Sequence, residues 1–235
     1  SIEFGLMAGT GTTVDYGDLQ STKQSMSGTG NSTRALSLGG YDAPARSDVI
    51  GYFSTTSLGN AADFGNLTVG RSSPTGFSSS TRGVCAGGYA NPGGTSNVLD
   101  YVTIASTGNA TDFGDLGQAR YSASSNSASS STRGIIAGGA TAPDGSASAV
   151  NTITYVTIAS TSNDTDFGDL TTSRNQAGAG SNNLRACFSG GLTPSTSNVI
   201  DYITIATTGD AIDFGDLVTA RGYVAGASSN HGGLQ

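Results

Sequence analysis

The chain has no tryptophan, one lysine (Lys23), one histidine (His231) and two cysteines (Cys85 and Cys187). Only 11% of its 235 residues are charged and 35% are hydrophobic. Each scarcity excludes something. Ten Lys and Arg stand against seventeen Asp and Glu, a net charge of −7. A nucleic-acid backbone needs a basic face, so nucleic acid is not an expected partner. An anionic membrane surface is disfavoured for the same reason. No apolar run approaches the ~20 residues of a membrane span, so no membrane insertion is expected. A single histidine rules out a metal site built from several, and no phosphate-binding loop motif occurs. No signal-peptide pattern is expected. Ser1 is expected to fall inside a strand, as in a processed product or a piece of a longer chain.

Gly, Ser, Thr, Asn and Ala dominate what is present. Such a composition fits disorder or many short strands joined by small-residue turns. Val/Ile/Tyr runs such as NVLDYVTIA (Asn97–Ala105) favour strands.

A hexapeptide organises the chain. VDYGDL begins at Val14, ADFGNL at Ala62, TDFGDL at Thr111 and Thr165, and IDFGDL at Ile212. Asp112-Phe113-Gly114 taken alone resembles the magnesium-holding triplet of protein kinases, but five copies at a near-constant period indicate scaffold. Each copy follows a strand-like run with an aromatic at one position: Phe4, Tyr52, Tyr101, Tyr155 and Tyr202. These two-strand units lie near 1–20, 48–68, 97–117, 151–171 and 198–218. Four residues after the Leu of each hexapeptide stands Lys23, Arg71, Arg120, Arg174 or Arg221. A small-residue run follows, then a second Arg (Arg34, Arg82, Arg133, Arg185), then a short apolar strand ending in Gly-Gly.

That is four strands per ~50 residues, the pattern of a propeller blade. The small-residue strand is expected innermost, where blades crowd the axis. The hexapeptide aromatics are expected between blades, and its Gly allows a positive φ. The expected architecture is all-β: a single domain, 1–235, folded as a five-bladed β-propeller of four-stranded antiparallel blades. The terminal strands are expected to share one blade and close the ring, with an irregular second strand in that blade. Both cysteines fall on second strands of non-adjacent blades, too far apart for a disulfide.

The order of Gly-Gly, aromatic strand, edge aromatic and Arg resembles the kelch repeat over essentially the whole chain. Phe or Tyr replaces the usual kelch Trp, and the usual Tyr-Asp order is reversed at Asp100-Tyr101 and Asp201-Tyr202. The wording "VIDYITIATTG…DFGDL" is also similar to kelch-like repeat proteins of marine tailed bacteriophages. That resemblance implies a virion or tail-fibre component, located in the virion or outside the cell.

Repeated Arg beside repeated Asp suggests structural pairing, with a basic ligand-binding ring as the alternative. The hexapeptide Asp residues are expected to cap turns. Asp164, Asp166 and Asp169 form the richest copy and the candidate calcium set, although the EF-hand spacing fails. No nucleophile is marked and no repeat is singular, so no catalytic residue and no required cofactor are expected. The connection between Gly-Gly and the third strand varies most: YDAPARS, YANPGGTS, ATAPDGSASAV and LTPSTS. Loops on a rigid scaffold commonly carry binding, and Tyr41, Asp42, Arg46, Tyr89, Asn91 and Asp144 are the candidate groups there. The expected function is a non-catalytic binding or structural module. Its expected partners are a host-surface glycan or protein, neighbouring virion proteins, or further copies of itself. A kelch-type protein-interaction scaffold is the alternative.

Overall fold

The computed structural model describes residues 1–4, 11–90, 92, 94–122, 128–142 and 148–226. These residues form only strands, turns and short irregular connections. Four sheets repeat one antiparallel order of four strands. Sheet I runs Ser27–Gly30, Arg34–Leu38, Val49–Ser54 and Ala62–Asn66. Sheet II runs Thr75–Ser78, Arg82–Ala86, Val98–Thr103 and Thr111–Asp115. Sheet III runs Ala128–Ser129, Arg133–Ala137, Thr152–Thr157 and Thr165–Asp169. Sheet IV runs Gly178–Ser181, Arg185–Ser189, Ser195–Thr204 and Ile212–Arg221, with Leu192–Thr193 added to its third strand. Ahead of them, Ile2–Phe4 and Val14–Gly17 pair with each other as a hairpin.

The period-2 rule of a strand explains how the sheets stack. On Arg82–Ala86, Val84 and Ala86 join a core with Ile136, Val156 and Ile158 of the third repeat. Cys85, between them, joins the opposite core with Leu36, Leu38 and Ile50 of the first. A third core unites Ile135, Ile153 and Phe167 with Ala186, Phe188 and Ile203. Apolar groups on both faces therefore place sheets II and III each between two neighbours. Each fully buried large side chain contributes roughly 1.5–3 kcal/mol.

The small-residue strands are crowded against one another, as their composition requires. Ser78 Oγ donates to Gly30 O of the preceding repeat (2.6 Å), Ser129 Oγ to Ser78 O (3.2 Å) and Ser181 Oγ to Ser129 O (2.9 Å). A Cβ on Gly76 would lie 2.9 Å from Gly28 O.

The hexapeptide is a β-bulge. Gly114 lies opposite Leu99 and Asp112 opposite Asp100, which leaves Phe113 as the extra residue. The same shift occurs at Tyr16, Phe64, Phe167 and Phe214. A bulge re-aims a side chain, and here it turns Phe64, Phe113 and Phe167 into the space between sheets, each 2% exposed. Each meets the third-strand Tyr of its own sheet edge-to-face, at 5.7–6.0 Å.

The following Gly is forced by its neighbour. Gly65 has φ +144°, and a Cβ there would stand 2.3 Å from Gly108 O in the next repeat. Gly17, Gly114 and Gly168 face Gly59, Ser162 and Gly209 in the same way, at 2.4–2.5 Å. In the last copy Asp213 Oδ1 accepts the N–H of Gly215 at 3.0 Å, as expected of a hexapeptide Asp, but in the other four the cap comes from the neighbouring repeat. Asn60, Asn109, Asn163 and Asp210 of the following repeat accept the N–H of Asp18, Asn66, Asp115 and Asp169. The hexapeptide's own Asp side chains are exposed at Asp18, Asp115 and Asp169.

The pattern stops at sheet IV. A Cβ on Gly215 would meet nothing within 4 Å. Phe214 is 60% exposed, and Ile212 and Val218 are also bare. Among the described residues the N-terminal hairpin pairs with no strand of sheet IV. Cys85 and Cys187 lie on the second strands of sheets II and IV, and both are free thiols. Burial pushes both thiol pKa values up, opposed at Cys85 by Arg71 and at Cys187 by Arg185.

Candidate functional site

The two repeated basic positions do structural work. Arg71 is fully buried, and its Nη2 donates to Asp100 Oδ2 of the next sheet at 2.8 Å. Arg174 does the same to Asp201 at 2.7 Å. Thr68 and Thr171 hold the other carboxylate oxygen of each pair at 2.6 Å. These acids belong to the third strand rather than the hexapeptide. In the third repeat Thr154 replaces the acid, and Arg120 donates to Thr154 Oγ1, Thr152 O and Ile136 O. Burial without a paired acid lowers the Arg120 pKa to about 10, with Asp164 opposing the shift.

The second basic set clamps sheets together. Arg34, Arg82 and Arg133 each lie over their own sheet's Tyr at 4.4–4.9 Å and donate to carbonyls at Ile104, Ile158 and Ile205 of the next repeat. Arg185 lies over Tyr202 and is exposed.

The backbone of the first set builds the candidate site. The second Gly of each Gly-Gly pair donates to the carbonyl of a basic residue: Gly40 to Arg71, Gly88 to Arg120, Gly139 to Arg174 and Gly191 to Arg221. The variable loops therefore start where the chain passes toward the next small-residue strand. They are tied there again, because Tyr41 bridges Gln24, Tyr89 pairs Ser72, Ala140 bridges Tyr121 and Leu192 bridges Asn175. All four loops consequently leave on one face, beside the inner ends of the repeats.

Two residues after each basic residue the chain turns left-handed. Ser25, Ser73, Ser122, Gln176 and Tyr223 have φ between +48° and +56°. L-residues adopt this region rarely, and such strain concentrates at functional sites. A backbone ladder holds it in place. Ser73 N donates to Ser25 O (2.7 Å), Ser122 N to Ser73 O (3.0 Å), Gln176 N to Ser122 O (2.9 Å) and Val224 N to Gln176 O (3.2 Å). These five residues, one per repeat, line a single pocket of about 350 Å³ together with Met26, Val224 and Ala225.

The sequence-derived candidates lie on the loops around it. Arg46 sits 4.2 Å over the Tyr89 ring, and Tyr89 meets Tyr121 edge-to-face at 5.6 Å. Tyr121, which sequence reasoning passed over, precedes the pocket residue Ser122 and extends this stack. Tyr41 and Asp42 form the first hairpin with Ala45 and Arg46. Asn91 and Asp144 lie outside the described residues, as does His231. Asp164 accepts the N–H of Gly117 at 2.8 Å, while Asp166 and Asp169 are exposed on the outer strand of sheet III. Among the described residues no three acidic, His or Cys side chains gather as a metal site. No protein-family model matches the chain, and no curated protein matches it at significance.

Proposed function

We propose that this chain is a non-catalytic recognition module, a virion or tail-fibre component that contacts host-surface glycan or protein through its loop face. The observation that carries this reading is the coincidence of variable loops and a left-handed, five-residue pocket on one face. The kelch-like repeat supports a five-bladed ring in which the N-terminal hairpin supplies the third and fourth strands of the last blade. The bare interface of sheet IV fits that hairpin position by position. Aligned on the preceding junctions, Gly11 would cover Gly215, and Glu3 would meet Arg221 as Asp201 meets Arg174.

Binding of the labelled chain to glycan arrays and to bacterial envelope preparations tests the reading. Saturable binding that weakens on Tyr89→Ala supports it. No binding to either, with the loop face buried in an assembled particle, overturns the receptor role. The Arg46–Tyr89–Tyr121 stack supports a second reading, because Arg and Tyr are enriched where proteins dock. On that reading the chain is a kelch-type scaffold, and a stoichiometric complex with one protein, isolated from lysate and lost in Arg46→Ala, would favour it.

A further inference from the structure

We infer that the axial pocket is a subsite for one neutral saccharide residue. The inference rests on the recognition reading and assigns its ligand chemistry. The hydroxyls of Ser25, Ser73, Ser122 and Tyr223 and the amide of Gln176 make no side-chain hydrogen bond to any described residue. Five uncharged donors and acceptors therefore converge on one space. Gln176 Oε1 is screened from solvent and has no partner.

Apolar surface alternates with these groups. The Tyr223 ring and Val224 offer a face to sugar C–H groups while the serines reach sugar hydroxyls. The volume of about 350 Å³ sits at the small end of ligand pockets. Among the described residues no charged side chain lines it. Of the five repeated basic residues, Arg71, Arg120 and Arg174 are at most 2% exposed and engaged by the neighbouring sheets, Lys23 is half-buried and Arg221 is exposed, and none of the five lines the pocket. Carboxylate or phosphate ligands are therefore disfavoured. The lining is not five-fold symmetric, since Gln176 and Tyr223 stand where the other repeats carry Ser. That asymmetry lets the site select one orientation of an asymmetric ring.

The test titrates the intact chain with galactose, glucose, mannose, N-acetylglucosamine and glucuronic acid, read by saturation-transfer NMR. Gln176→Ser and Tyr223→Ser carry the residue that three repeats already hold at this φ, so both are expected to fold with unchanged melting temperature. At least one neutral sugar is expected to bind, at least ten-fold more weakly to each variant, with glucuronic acid weaker than its neutral counterpart. No neutral sugar binding, equal binding by both variants, or preference for the acid overturns the inference. Envelope binding separates the two readings. If both variants keep it at wild-type strength, recognition stands and the pocket assignment falls. If the wild-type chain binds sugars but no envelope, the pocket assignment stands and host recognition falls.

Discussion

Arg71, Arg120 and Arg174 occupy one repeat position, yet only two of them face a carboxylate. Removing one partner of a buried pair typically costs about 3–5 kcal/mol, so Asp100→Ala and Asp201→Ala should each lower the unfolding free energy by that order in urea. Arg120 presents the reverse case. Its acid is Thr154, and the Thr of the other two sites is Gly117. Thr154→Asp should stabilise the fold by roughly 1.5–3 kcal/mol, the range for a hydrogen bond to a charged group. Folding lowers the Arg120 pKa to about 10, so above that pH the unfolded chain holds the extra proton. Wild-type stability should therefore rise as pH climbs through 10, while the penalty stays constant below it. The advantage of Thr154→Asp should be largest at pH 8 and shrink by pH 10.5, as urea midpoints would show. The sequence made arginine-to-acid pairing legible, but not which acid. Asp100 and Asp201 stood out only as a reversed Tyr-Asp order, because a pairing between successive sheets leaves no local signature.

At the scale of the element, the hexapeptide joins a bulge, a rotated aromatic and a glycine that admits the next repeat's carbonyl. Gly65→Ala, Gly114→Ala and Gly168→Ala should each cost roughly 2–4 kcal/mol, combining φ strain with a forced shift of the facing turn. Thermal unfolding of the three variants checks this, and a loss below 1 kcal/mol would contradict the geometry. Strand order, the close approach of the small-residue strands and the inter-sheet aromatics were all legible, because each rests on periodicity or side-chain size. The pocket was not. Ser25, Ser73 and Ser122 are lost among the many serines of the chain, Gln176 and Tyr223 break the repeat, and a left-handed conformation at non-glycine residues leaves no compositional mark. Their constant offset of two from the basic residue was the available signal. The capping Asn60, Asn109, Asn163 and Asp210 were hidden similarly, since they act on the neighbouring repeat.

For the whole molecule the decisive question is the last interface. If the hairpin closes the ring, Gly215→Ala should cost as much as Gly65→Ala, whereas an open end leaves only the φ strain, about 1 kcal/mol. Glu3→Arg and Arg221→Glu should each lower the melting temperature, and the double variant should restore it independently of protein concentration. Additive losses would refute the pairing, and concentration dependence would place the hairpin of another copy there instead. The ladder that lines the pocket also has a mechanical meaning. Its four rungs run from Ser25 to Val224 in one rotational sense, so tension between the chain ends passes through them in series. The longest rung, Gln176 to Val224 at 3.2 Å, is where such a load path should yield first. A closed seam would carry part of that load in parallel. Pulling the molecule by its ends should then part the seam and the last rung before any sheet unravels, so the chain can lengthen while its four sheets stay stacked.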